Sequence, residues 1–260
     1  MTPRDSAQAS RACRLALPEL LSSEARVILC YPTCERAYEV AQQLQGLGVA
    51  AVQLTGKVLL GRYGVLGKGC VGIVVRAELT DGMPVAIKIR RADADRPSMA
   101  SEAHIIRMAN QQQIGPRLIA HSQDVLVMEL VEGLDVDDYI AQASPDRIRH
   151  LARRILEQCW ALDQIGISHG ELSTLRKHVI VRRGDEGPVI LDFESASLSR
   201  KRPNVTAAAS YLFVSGPCSP RVRGAVGGLS VQDAIDALKA YKKDQSEASF
   251  QDLLRRLRIG

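Results

Sequence analysis

Lys88, Glu102, Glu171 and Asp192 follow one another along the chain in an order that suits transfer of a phosphoryl group. That chemistry asks little covalent help of a protein, because positioning and charge neutralisation supply most of the catalysis. Lys88 ends Val85-Ala86-Ile87-Lys88 and can offer an ammonium to nucleotide phosphates, and Glu102 can reach back to orient it as an ion pair. Glu171, in His169-Gly170-Glu171-Leu172, can orient an attacking hydroxyl, and Asp192, after Val189-Ile190-Leu191, offers a carboxylate to Mg2+. Each has a plainer alternative: an edge-strand lysine, one helix carboxylate among many, or acidic turn formers.

These groups need elements to position them, and the first is a glycine loop. Gly67, Gly69 and Gly72 in Leu66-Gly67-Lys68-Gly69-Cys70-Val71-Gly72-Ile73-Val74 have the G-x-G-x-x-G spacing shared by two kinds of phosphate-binding loop, and the element after the third glycine decides between them. A dinucleotide loop opens a helix. Here the third glycine leads into the β-branched run 73–79, then the hairpin signal Asp81-Gly82, then the β-rich run 85–89. A glycine flap between antiparallel strands places Lys88 on the next strand, behind the loop. The apolar spacing of Ala103, Ile106 and Ala109 predicts a helix over 99–111 that carries Glu102. Beyond Asp135 the pattern turns helical, with helices predicted over 135–142, 145–165, 231–243 and 250–257 and short strands over 179–181 and 189–191. Upstream of the loop, 26–31 reads as a strand, 32–46 as a helix and 49–54 as a returning strand, a small βαβ element with no nameable catalytic pattern.

The combination of "GKGCVGIV", "VAIK", the hinge-like Met128-Glu129-Leu130-Val131, "HGEL" and "LDFE" resembles the protein-kinase-like superfamily. It is most similar to the small atypical group that includes the RIO kinases, the kinase subunit of the KEOPS complex and short archaeal Ser/Thr kinases. The likeness covers roughly 61–194. It implies an α+β, two-lobed kinase-like fold: an appendage over 1–57, an antiparallel-strand N-lobe over 58–131 and a helical C-lobe over 132–260. It further implies that ATP is held by Gly67, Lys68, Gly69, Cys70, Val71, Gly72, Val74, Ala86, Lys88 and Glu102, with adenine on Met128, Glu129 and Val131. Asp135 would take the ribose hydroxyls or simply cap its helix. Asp192 would hold Mg2+, with Lys88, Glu171 and Asp192 as the catalytic set.

The sequence departs from the common pattern in that same region. The catalytic-loop acid is Glu171, one methylene longer than Asp, and five residues on stands Arg176 where an amide would bind metal. His178 reaches that place only if the loop is two residues longer, and an imidazole is a poorer Mg2+ ligand than an amide oxygen. Glu194 comes after Asp192-Phe193 in place of glycine, either as a second metal carboxylate or as a cap. No Ala-Pro-Glu anchor stands downstream, so the resemblance implies a short or missing activation segment. Two further functions therefore stand beside a Ser/Thr kinase: an ATPase switch on a ribosomal or tRNA-modifying assembly, and an inactive nucleotide-binding scaffold.

Composition bounds the rest. With 260 residues, 46% of them apolar, the chain can bury a substantial core, and no apolar run approaches the ~20 residues of a membrane span. The start of the chain lacks a charged-then-apolar signal, which predicts a cytoplasmic protein. Six cysteines without paired C-x-x-C spacing read as free thiols rather than a zinc set. The net charge of +5 lies in the C-terminal segment, where 200–260 holds eleven Lys or Arg against five Asp or Glu. That excess reads either as solvated helix faces or as a contact with RNA through Arg200, Lys201, Arg202, Arg255, Arg256 and Arg258.

Overall fold

The computed structural model describes residues 13–184, 187–199 and 203–260, a mixture of helices and antiparallel sheet that divides into two compact units. Of the described residues, the first unit comprises those up to His104 together with Arg117–Leu130, and the second comprises Ile105–Pro116 and those from Val131 to Gly260.

In the first unit β1 (Cys13–Ala16), α1 (Leu17–Ser22), α2 (Ala37–Gly46) and β2 (Val49–Leu54) precede two short strands, β3 (Val58–Leu60) and β4 (Tyr63–Val65). The glycine loop comes next as β5 (Gly67–Lys68) running into β6 (Gly72–Leu79), then β7 (Pro84–Arg90) and α3 (Ala100–Gln111), whose second half belongs to the other unit. Strands β8 (Leu118–His121) and β9 (Val125–Glu129) complete an antiparallel sheet ordered β1-β2-β6-β7-β9-β8, with β5 paired to β6. The β6–β7 hairpin turns at Asp81-Gly82: the Asp81 carboxylate accepts from the Met83 N–H at 2.9 Å, and Gly82 takes the positive φ of 84° that such a turn asks of glycine. Alternation along β6 and β7 sends Ile73, Val75, Ala77, Val85, Ile87 and Ile89 into one apolar core with Val125 and Val127, while Lys88 and Arg90 fall on the opposite face.

Residues 26–31, read from sequence as a strand, form none: 26–29 belong to a 3-10 helix, Glu24–Leu29, and Cys30 caps its end. Ser23 caps it by accepting from the Ala25 N–H, and Ala25, Ile28 and Leu29 repeat at three-to-four spacing and bury together, whereas a strand would separate them on two faces. Among the described residues no βαβ unit forms; β1 pairs antiparallel with β2, and β2 with β6, so the segment before the loop extends the sheet. Its helices α1 and α2 supply Leu17, Leu20, Val40, Ala41 and Leu44 to the same core as β6 and β7.

The second unit holds β10 (Gly133–Asp135), α4 (Val136–Gln142), α5 (Pro145–Gln164), α6 (Leu175–His178), β11 (Val179–Arg182) and β12 (Pro188–Ile190). After these come α7 (Asn204–Ser210), a π-helical turn Tyr211–Ser215, α8 (Ser219–Ala225), α9 (Val231–Asp244) and α10 (Glu247–Arg256). Ser144 caps α5 and Pro145 opens it, where its missing N–H costs nothing. Ile148, Leu151, Ala152, Ile155, Leu156, Cys159 and Leu162 give it one buried stripe. Trp160 on α5 stacks on Phe250 of α10 with centroids 4.8 Å apart and meets Tyr241 of α9 edge-on, which fastens the terminal helices. The helices between 204 and 225 have no counterpart among those predicted from sequence, since their short Ala-rich runs show no long apolar period. Among the described residues no helix is long and apolar enough to cross a membrane.

Candidate phosphate and metal-binding residues

In the first unit, the Lys88 ammonium lies 2.8 Å from a Glu102 carboxylate oxygen, and the two side chains are 4% and 2% exposed. A pair this deeply buried has to be held by good geometry, because desolvation would otherwise outweigh its attraction. Gly72 makes room for it: a Cβ built there would stand 2.8 Å from Lys88 Cγ and 3.0 Å from Lys88 Cε. The third glycine therefore lets the lysine stem cross the strand.

The loop itself is tight. The Gly69 N–H donates to the Gly72 carbonyl at 2.8 Å, and Arg91 binds the loop twice, through its N–H to the Val71 carbonyl and its guanidinium to the Gly69 carbonyl. Lys68 donates to the Tyr31 hydroxyl at 2.9 Å and sits over that ring, so the segment before the loop helps to hold it. Cys70 is exposed between these anchors, and Val71 is buried. Val74 is opposite Lys88 in the β6–β7 register, and Ala86 opposite Met128 in the β7–β9 register. Glu129 donates its N–H to the Arg117 carbonyl and accepts the Arg117 N–H on its carboxylate, so its backbone donor is already used within the sheet.

In the second unit, Glu171, His178 and Asp192 converge: one ligand atom of each lies within 4.8 Å of the others. His178 Nε2 stands 3.7 Å from Glu171 Oε2, with the imidazole 10% and the carboxylate 41% exposed. The single turn α6 ends at His178 and brings the imidazole to Glu171. Arg176 turns away, 3.7 Å from Asp135 and 3.6 Å from Asp138. Asp135 caps α4 by accepting from the Asp138 N–H. Glu194 is buried in the short 3-10 turn after Asp192 and lies outside the converging group.

Backbone and histidine contacts that the sequence did not reveal fix the cluster. The Leu191 N–H donates to the His178 carbonyl at 2.8 Å, and His169 Nε2 lies 2.9 Å from the Leu191 carbonyl. A carbonyl only accepts, so Nε2 carries the proton. Burial holds His169 neutral by pushing its pKa down to about 4. Its ring is wedged between His178 and Phe193, with centroids 5.5 and 5.2 Å away. Phe193 in turn lies against Gly115, where a Cβ would come within 2.9 Å of the ring. Asp192, between these clamped neighbours, has the left-handed backbone φ 63°, ψ 76°, which Asp tolerates better than most residues. A histidine next to a Gly-Glu pair was the only sequence signal for this strut.

The C-terminal cations are largely engaged. Arg221, Arg223 and Arg258 donate to carbonyls of their own unit, and Arg255 and Arg256 pair with Asp252. Arg200, Lys201 and Arg202 lie outside the described residues.

The chain matches no protein-family model and no curated protein.

Proposed function

We propose that the protein is an atypical ATP-dependent phosphotransferase of the protein-kinase-like kind, acting on a serine or threonine hydroxyl. The observation that carries this is the Lys88–Glu102 pair, buried, linked at 2.8 Å and set against the glycine whose missing Cβ admits the lysine stem. In that role the Lys88 ammonium neutralises phosphate oxygens of the bound nucleotide and Glu102 holds it in place. Because the Glu129 N–H is already given to Arg117, adenine would take its donor from beyond Glu129, at Val131. Asp192 and Glu171 would supply the acidic half of the reaction, and the greater exposure of Glu171 relative to His178 supports giving it the orientation of the acceptor hydroxyl. A divalent cation at Asp192 would offset charge on the transferring phosphoryl group. The donor set fits a dication in charge, with two carboxylates, while its imidazole departs from the all-oxygen set that Mg2+ favours.

Incubation with γ-labelled ATP and a divalent cation, monitoring both labelled protein and free phosphate, tests the proposal. Asp192→Asn keeps the side-chain volume and removes the charge, so turnover should fall by about 10² or more with the fold retained. Label on protein supports a kinase, and phosphate release alone supports the ATPase switch. No turnover in the parent chain would leave a nucleotide-binding scaffold.

A further inference from the structure

We infer that Glu171, His178 and Asp192 together form a three-ligand site for a first-row transition dication of the Mn2+ type, and that Glu171 serves it as a ligand. This rests on the same residues as the phosphotransfer proposal but goes beyond it, by naming the cation class and giving Glu171 a second task.

The spacing is the first reason. His178 Nε2 and Glu171 Oε2 are 3.7 Å apart, too long for a hydrogen bond between them. Two atoms bound to one cation at about 2.1 Å each are roughly 3 Å apart when adjacent and roughly 4 Å apart when opposite. The observed separation falls in that interval, and the Asp192 ligand atom lies within 4.8 Å of the other two.

Preorganisation is the second. The three ligands come from three segments: the turn after His169-Gly170, the end of α6, and the residue after β12. They are tied through Leu191, whose N–H donates to the His178 carbonyl and whose own carbonyl accepts a hydrogen bond from the His169 Nε2–H. The imidazole is nine-tenths buried, so its orientation is set by packing rather than by solvent. The two departures noted in the sequence then share one cause. The longer Glu171 side chain and the turn α6 ending at His178 together bring a carboxylate and an imidazole to the same point as Asp192.

Ligand chemistry is the third. Two carboxylates balance a dication, and hard oxygens alone would suit Mg2+, Ca2+ or Mn2+. The nitrogen discriminates among them, because first-row transition ions accept imidazole readily while Mg2+ holds to oxygen and keeps its waters. Three protein ligands leave positions open for water or phosphate oxygens, as a site working on a nucleotide requires. One Glu171 oxygen suffices for the cation, and the other remains for the acceptor hydroxyl.

The test uses the full chain without nucleotide, so it stands apart from turnover. Titration with Mn2+, read by loss of the free-ion electron paramagnetic resonance signal, should show one ion per chain, retained against about tenfold more Mg2+. Electron spin-echo modulation of the bound ion should show coupling to one imidazole nitrogen. In His178→Phe, which keeps a ring but offers no ligand atom, that coupling should vanish and Mn2+ affinity should fall by at least about tenfold, the lower end of what loss of a mere supporting contact costs. His178→Leu serves if the Phe variant does not fold, and the nitrogen coupling in the parent needs no variant. Absence of binding to the folded chain, bound Mn2+ without nitrogen coupling, or displacement by equimolar Mg2+ would each overturn the inference. None of these would touch the ATP assay, and a positive Mn2+ result without ATP turnover would support the site while removing the kinase assignment.

Discussion

Gly72 and Lys88 show how a single missing atom can position a charge. The lysine stem runs where an alanine Cβ would lie, so Gly72→Ala must move either the β6 backbone or the ammonium. Displacements near 1 Å in catalytic groups cost about 10²-fold, and kcat/KM for ATP should fall by that order in Gly72→Ala, while overpacking at this buried position also lowers the thermal midpoint. A wild-type kcat/KM in this variant would show that the ammonium does not act on phosphate. Lys88 and Glu102 were legible in the sequence because a glycine loop, a β-rich run and a helical period set their places before any contact was known. His169 was not, since its work lies in a bond to the Leu191 carbonyl and a wedge between two rings, and neither leaves a trace in spacing.

Among the elements, α2 is fixed to the sheet by a buried charge. Asp124, fully buried, accepts from Arg90 at 2.7 Å, from Arg36 at 2.7 Å and from Gln43 at 2.8 Å, and the Gln43 side-chain carbonyl in turn accepts from the Asp124 N–H. Burial alone would raise the Asp124 pKa, but the hydrogen bonds from Gln43, Arg90 and Arg36 overcome it and hold the carboxyl below its ordinary range. Asp124→Ala would strand the buried Arg90 guanidinium, and a loss of about 3–5 kcal/mol in urea-unfolding free energy is expected. Arg36→Ala, at a side chain one-third exposed, should cost about 1 kcal/mol or less. Equal losses in the two variants would refute this division of the network. The sequence showed α2 and β2 but not this clamp, because Arg36, Gln43 and Asp124 look like surface residues until the chain brings them together. The misread strand at 26–31 has a related cause. A short apolar run fits a strand or a helical turn equally, and the Ser23 cap decided for the turn.

For the whole molecule, Asp163 makes stability depend on pH. Burial raises its pKa to about 6, against the N–H donors of Asn204 and Val205, which pull the other way. The folded chain therefore holds a proton that the unfolded chain, with an ordinary value of 3.8, has released. This contribution favours the folded state below about pH 4 and is lost as the pH rises to about 6. Urea midpoints at about pH 5 and about pH 7.5, compared between parent and Asp163→Asn, should differ in that sense, with the parent losing more on going to the higher pH. An identical pH response in both would show that Asp163 ionises normally.

The antiparallel ladder of the first unit carries a consequence for how the protein is born. Its path β1-β2-β6-β7-β9-β8 keeps the order of synthesis, apart from three short strands, β3 to β5, off the path and a swap of the last two. Pairings between chain neighbours close small loops, which is the condition for fast folding. Domains fold as they leave the ribosome, at a synthesis rate of about 5–20 residues per second. Every strand of this sheet is complete at Glu129, and so is Glu102, the carboxylate that meets Lys88. The half that would grip phosphates can thus assemble while the codons for Glu171, His178 and Asp192 are still unread.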